Sequence, residues 1–302
     1  MSYYSLPILL LSMLSILSRT SPSYRAVYVY HFCANTTIPK NSSYKSSLSS
    51  LFSSFSLYAN HNVEFYSPSS SSLTSSLSSN AISKIQISLN ISDPVYGLHI
   101  CRGDVTAEVC RKCVKEAAKD LANRCSRELV AVIWYDMCML RYSNASFFST
   151  ATTRPGIDLW NTRNTTKQEQ FNRQVNMTMT DLKSQASKVQ AGANKFGQNQ
   201  VNISEFRTLY SQVQCTPDLS NTDCNSCLQA AINRLLICCG GRQGARVLFP
   251  SCQVRYELLP FYSLVNTIPT PELPPPPLSI PPGSPSVPIG KVKHHFIAFH
   301  CL

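Results

Sequence analysis

The chain has 302 residues, 13 of them cysteine, and 27 Lys and Arg against 16 Asp and Glu give a formal net charge of +11. So much cysteine excludes an ordinary reduced intracellular protein, and the length suits two small domains with a leader and a tail. The basic residues are scattered rather than blocked, which reads as a soluble basic surface with a weak attraction to acidic polysaccharide or anionic membrane.

The leader comes first. Leu6 to Leu17 is a Leu-rich apolar run, too short to span a bilayer and placed where the core of a signal peptide belongs. Residues 1–23 are expected to be that signal peptide, with cleavage between Ser21 and Ala26, although Lys and Arg are missing ahead of the apolar run. No later run approaches the ~18 apolar residues of a membrane span, so no transmembrane segment is expected. Asn-x-Ser/Thr sequons at Asn35, Asn41, Asn90, Asn144, Asn164, Asn176 and Asn202 suit a secreted glycoprotein. Export excludes nucleic acid as a partner more firmly than the charge does.

The first unit, residues 24–150, opens on a β-rich stretch from Val27 to Cys33. Tyr44, Leu48, Leu51, Phe52, Phe55 and Tyr58 recur at steps of 3 and 4, an amphipathic helix with one apolar face. Ser67 to Asn80 reads as a surface loop, and alternation from Ile85 to Ile91 as a strand. Asp104 or Thr106 can cap a second helix carrying Cys110, Cys113, Ala117 and Leu121 on one face. Leu129 to Tyr142 reads as one long strand.

The second unit, residues 151–262, repeats this order. Phe171, Val175, Met179, Leu182, Ala186 and Val189 mark its first helix, and Glu205 to Val213 a strand. Asp218 or Ser220 caps a helix with Cys224, Cys227, Ala231 and Leu235 on one face, ended by Gly240-Gly241. Ala245 to Tyr256 reads as the long strand. The cysteines keep a constant offset of 114 residues: Cys101, Cys110, Cys113, Cys125 and Cys138 return as Cys215, Cys224, Cys227, Cys239 and Cys252. The chain is therefore a tandem of one cysteine-stapled unit. Residues 263–302 form a Pro-rich tail, read as extended and disordered, that ends near Cys301.

These motifs carry a resemblance. The tandem Cys-x8-Cys-x2-Cys, Cys101-Arg102-Gly103-Asp104, Val213-Gln214-Cys215-Thr216-Pro217-Asp218-Leu219 and Gly244-Ala245-Arg246-Val247 resemble the ectodomain of plant cysteine-rich receptor-like kinases. Soluble relatives are the cysteine-rich repeat secretory proteins, and the shared module is the ginkbilobin-homologous, or stress-antifungal, domain. The resemblance implies an α+β fold: two tandem disulfide-stapled domains, each a small antiparallel sheet packed against two helices. It implies the bridges Cys33–Cys125, Cys101–Cys110, Cys113–Cys138, Cys215–Cys224 and Cys227–Cys252. In the receptors a membrane span and a kinase follow the Pro-rich stretch; here neither follows, so a truncated or secreted ectodomain without kinase activity is expected.

The second unit departs from the pattern. Trp160 stands where Cys33 stands in the first, so Cys239 lacks its usual partner, and Cys238 is extra. A strained vicinal Cys238–Cys239 bond, two free thiols, or a bond to another chain would each account for them.

In the family a mannose site uses an Asn after the first cysteine, an Arg of the Gly-Ala-Arg-Val strand and a Glu after the last cysteine. Asn161, Arg246 and Glu257 match; the first unit has Ala34, Val132 and Ser143 there. An amide, a guanidinium fork and a carboxylate suit sugar hydroxyls, which donate and accept at once. On one continuous strand Arg246 and Glu257, eleven residues apart, would face opposite sides, so a bulge or bend must intervene if both reach one sugar, or the two form a structural ion pair. The disulfide frame argues against zinc or a dithiol at Cys110-x2-Cys113 and Cys224-x2-Cys227. His61, His99, His294, His295 and His300 are scattered with no partnered nucleophile, and Trp134 and Trp160 read as core or interface. No catalytic residue, metal or cofactor is expected.

The leading expectation is a secreted, apoplastic, non-enzymatic recognition protein that takes a mannose-type glycan in antifungal or stress defence. The alternative is a receptor fragment or decoy that docks on related receptor ectodomains. A third is an extracellular thiol sensor using Cys238, Cys239 or Cys301.

Overall fold

A computed structural model describes residues 26–58, 82–87, 93–262 and 296–301. The expected leader, the Ser-rich loop, Asn90, His61, His294, His295 and the prolines of the tail lie outside these residues.

The first unit runs β1 (Tyr28–Cys33), α1 (Tyr44–Tyr58), β2 (Ile82–Ile87), β3 (Val95–Cys101), α2 (Ala107–Arg124), β4 (Ala131–Tyr135) and β5 (Cys138–Ser143). Its antiparallel sheet has the order β1-β4-β5-β3-β2. The second runs β6 (Gly156–Asn161), α3 (Gln168–Lys188), β7 (Phe196–Ser204), β8 (Arg207–Cys215), α4 (Asn221–Cys239), β9 (Gly244–Leu248) and β10 (Cys252–Glu257). Its order, β6-β9-β10-β8-β7, is that of the first sheet. A final strand, β11 (Phe296–Cys301), pairs with the outer edge of β6.

The stretches expected to be single long strands are hairpins. Asp136 and Met137 turn the chain between β4 and β5, and the Phe249-Pro250-Ser251 segment turns it between β9 and β10, closed by Phe249 N donating to Cys252 O. Asp favours turns, and Pro cannot donate to a ladder. The strand expected at Glu205 to Val213 belongs to a longer hairpin, whose partner β7 alternates mostly polar residues.

Each pair of helices buries the apolar face its spacing marks. Leu51, Phe55, Cys113, Ala117 and Leu121 are buried in the first core, and Met179, Leu182, Cys224, Ala231 and Leu235 in the second. Thr106 caps α2 and Ser220 caps α4; Ser220 Oγ accepts from Asp223 N at 3.0 Å. The repeat extends to single hydrogen bonds. Tyr142 Oη donates to Cys125 O and Glu128 O, and Tyr256 Oη donates to Cys239 O and Arg242 O. In each unit a buried tyrosine on the central strand of its sheet, β5 or β10, ties down the end of the second helix.

Among the described residues six disulfides staple the frame: Cys33–Cys125, Cys101–Cys110, Cys113–Cys138, Cys215–Cys224, Cys227–Cys252 and Cys238–Cys239. In the first unit Cys33–Cys125 links β1 to the end of α2. In the second Trp160 packs its ring against the core instead, and Cys239 bonds to its neighbour.

The two sheets meet through the faces turned away from their helices. Leu98, Ile100, Val132, Trp134 and Met139 of the first pack with Ile157, Leu159 and Leu248 of the second in one buried cluster. Strands β4 and β5 are thus covered on both sides, which is why they read as apolar runs rather than alternating ones. No helix among the described residues is long and apolar enough to cross a membrane.

Candidate functional site at the seam between the units

Strands β6, β9 and β10 lie side by side, with Leu159 opposite Arg246, Arg246 opposite Arg255, and Gly244 opposite Glu257. Side chains two apart on a strand share a face. Asn161, Arg246 and Glu257 therefore all stand on the face away from the helices. The hairpin achieves this without a bulge, which corrects the expectation that one continuous strand would put Arg246 and Glu257 on opposite sides. Gly244 sits between Asn161 and Glu257 and must lack a side chain, because a Cβ there would overlap the Glu257 carboxylate.

That face is turned toward the first unit. Asp136, at the β4–β5 turn, inserts its carboxylate between the arginines: Oδ1 accepts from Arg246 Nη1 at 2.9 Å and from Arg255 Nη1 at 2.8 Å, and Arg102 Nη1 lies 3.6 Å from Oδ2. Arg255 Nε lies 3.2 Å from Glu257 Oε1, and Arg102 forks onto Asp104 with Nη2 at 2.8 Å. Gln212 Nε2 donates to Asp104 from the second unit at 3.3 Å. Phe261 lies under the Arg255 guanidinium, 4.1 Å from charge centre to ring centroid. The cluster thus joins Arg102, Arg246 and Arg255 with Asp104, Asp136 and Glu257, three positive charges with three negative ones.

Burial sets its electrostatics. Arg246 is 9% exposed and Glu257 2%, whereas Asn161 is half-buried, its Oδ1 accepting from Arg163 N at 2.9 Å. Burial alone would push the Asp136 carboxyl up, but Arg255, Arg246 and Arg102 together outweigh it and hold the group at about 2. Burial, with help from Arg255, lowers Arg246 to about 10, against the pull of Asp136 and Glu257. Arg246 stays charged at any ordinary pH and is held by fixed carboxylates. A buried cluster of this kind fixes geometry, and removing one member strands the others at a cost of about 3–5 kcal/mol.

A second polar contact closes the other end of the seam. Asp218 Oδ2 accepts from Ser149 N at 2.6 Å, and Gln214 Nε2 donates to Cys101 O at 2.9 Å. Asp218, a candidate helix cap in the sequence, serves this junction instead, and Ser220 takes the cap. The first-unit counterparts of the triad hold no similar site: Val132 lies in the apolar seam and Ser143 is half-buried.

The sequence reading missed Asp136, Arg102 and Arg255. One signal was present, since Asp136 is the lone charge between Val130 and Leu140. Histidines are not part of the cluster: among the described residues His99 is buried against Phe55, and His31 bonds Tyr28. Cys33, Cys125 and Glu128 have metal-like spacing, but the two sulfurs are bonded to each other. Sequon residues Asn35, Asn41, Asn144, Asn164, Asn176 and Asn202 are all exposed.

Comparison with known proteins places this architecture. The chain matches the salt stress response/antifungal family over residues 32–145 and again over 160–258. It is 44% identical over 255 residues to cysteine-rich receptor-like protein kinase 25 of Arabidopsis thaliana, a match that covers 83% of this chain and 35% of the kinase. The chain thus spans about a third of that relative's length. An antimicrobial ginkbilobin-2-like protein of Castanea crenata is 40% identical over 169 residues, 56% of this chain and 69% of its own. The tandem DUF26 ectodomain of the Arabidopsis thaliana cysteine-rich receptor-like protein PDLP8 superposes with a TM-score of 0.61 at 20% identity, covering 76% of this chain and 98% of that one. That last likeness is one of fold. Two matched stretches, two sheets of one strand order and one repeated cysteine frame lead to the same conclusion: the chain belongs to the salt stress response/antifungal (DUF26) family, as a tandem of two such domains.

Proposed function

We propose that this chain is a non-enzymatic extracellular recognition protein, secreted to the apoplast, that contacts related receptor ectodomains in stress or antifungal defence. The observation that carries this reading is the seam. Two of the three sugar-type side chains, Arg246 and Glu257, are buried there, and Arg246 is paired with Asp136 of the neighbouring unit. The contact surface then lies outside the seam. Ile237 on α4 is 86% exposed, on a helix that carries no sequon. A large apolar side chain left in water on such a face suits a protein partner. Resemblance to part of a receptor-like kinase and to a tandem ectodomain favours a related ectodomain as that partner. The test is binding of the secreted chain to a panel of such ectodomains. Ile237→Glu is expected to weaken the complex at least ~10-fold with an unchanged melting temperature. A parent chain that binds none of the panel sinks the reading.

A mannose-type glycan at Asn161, Arg246 and Glu257 is the second reading. It is favoured by the shared face of the three residues around Gly244. It requires Asp136 to release Arg246. A glycan array on the parent and on Asp136→Asn tests it: a mannose signal that Asn161→Ala, Arg246→Ala and Glu257→Ala each abolish supports it, and no signal from either protein eliminates it.

A further inference from the structure

We infer that a cleft in the second unit, between the start of α3 and the β7–β8 hairpin, binds an acidic saccharide. This goes beyond the proposed protein contact and uses different residues. The cleft encloses about 330 Å³ and is lined by Lys167, Gln170 and Gln174 on the α3 side and by Asn202 and Arg207 on the hairpin side, with Phe171 as an apolar wall. That volume lies at the small end of the about 300–1,000 Å³ of ligand pockets, room for a short saccharide segment and not for a folded partner.

The lining specifies the ligand's chemistry. Lys167 lines the cleft from the α3 side and Arg207 from the hairpin side, and neither has an ion-pair partner among the described residues. The seam arginines, by contrast, are all matched to carboxylates. Two unmatched cations lining one cleft call for an anionic ligand, and the Arg fork suits a carboxylate. Between them stand neutral groups with capacity to spare. Gln174 Nε2 donates to Thr178 Oγ1, which leaves its Oε1 to accept; Asn202 Oδ1 accepts from Thr208 Oγ1, which leaves its Nδ2 to donate. Closely spaced donors and acceptors match sugar hydroxyls better than a peptide backbone. Phe206, 90% exposed at the hairpin turn between the lining residues Ser204 and Arg207, offers a flat apolar face to the C–H side of a pyranose ring. A hexuronate meets all three demands: carboxylate, hydroxyls and an apolar ring face.

Asn202 is also a sequon residue, so an N-glycan attached there would start from the cleft wall. The test therefore uses the full chain exported to a bacterial periplasm, where the disulfides form and Asn202 stays unglycosylated. Trigalacturonate is titrated into it by calorimetry at low salt. Saturable binding is expected, at least ten-fold weaker when Lys167→Ala and Arg207→Ala are added, with the melting temperature preserved. Binding should also fall when Phe206→Ser is added, and it should not move with Lys115→Ala and Lys119→Ala on α2, which control for the net charge. Absence of binding by the unglycosylated parent chain overturns the inference. So does affinity unmoved by Lys167→Ala and Arg207→Ala, an equal loss from the α2 control, or equal affinity for hexaglutamate, which would make the site a peptide site.

Discussion

At the scale of single residues, the second unit spends its polar outer face on joining the two halves. Glu257 needs the space that Gly244 leaves, so Gly244→Ala should force the carboxylate out of place and lower stability by about 1–3 kcal/mol, measured by urea unfolding. A different residue sets an acid limit. His99 is fully enclosed under Phe55, with its Nδ1 unpartnered, and burial depresses its pKa from 6.5 to about 3. Between those values the unfolded chain binds a proton that the folded chain refuses. The contribution is therefore complete above pH 6.5 and is lost as pH falls toward 3, with a slope of at most ~1.4 kcal/mol per pH unit. His99→Leu should flatten that part of the stability–pH curve. Asp136 acts lower: its carboxyl, held at about 2 against an ordinary 3.8, contributes stability above 3.8 that is lost as pH falls toward 2.

At the scale of elements, helices were legible and hairpins were not. The apolar spacings of Leu48, Leu51 and Phe55, or Val175, Met179 and Leu182, are one-sided, and a one-sided helix declares its own period. Strands β4 and β5 are buried on both faces, so alternation is erased, and a two-residue turn at Asp136 and Met137 leaves little mark inside an apolar run. Strand β7 fails the other way, with too few apolar residues to announce itself. Capping is testable at this scale: Ser220→Ala should cost about 1 kcal/mol by removing the acceptor for Asp223 N, whereas Asp218→Ala should leave α4 intact and loosen the contact with Ser149. The disulfides should also differ. Cys33–Cys125 closes a separation of 92 residues, and removing it should cost about 4 kcal/mol by the loop-entropy model. Cys238–Cys239 closes a separation of one residue, so its removal should cost at least ~2 kcal/mol less in the same assay.

At the scale of the whole molecule, the tandem is one body rather than two beads. An apolar cluster around Trp134 and Leu248 and a charge cluster around Asp136 bridge units whose key residues lie more than a hundred positions apart, with a separation of 110 between Asp136 and Arg246. Separation of that order is why the sequence identified Asn161, Arg246 and Glu257 as a set but could not show what faces them. The family resemblance implied a shared role, and the neighbour that holds Arg246 came only with the packing of the two sheets. The central claim is that Asp136 and Arg246 clamp the units together. A double-mutant cycle with Asp136→Ala, Arg246→Ala and the pair, followed by urea unfolding, measures it directly. The clamp predicts a coupling energy of at least ~1.5 kcal/mol between the two sites. Additivity within ~0.5 kcal/mol would contradict it.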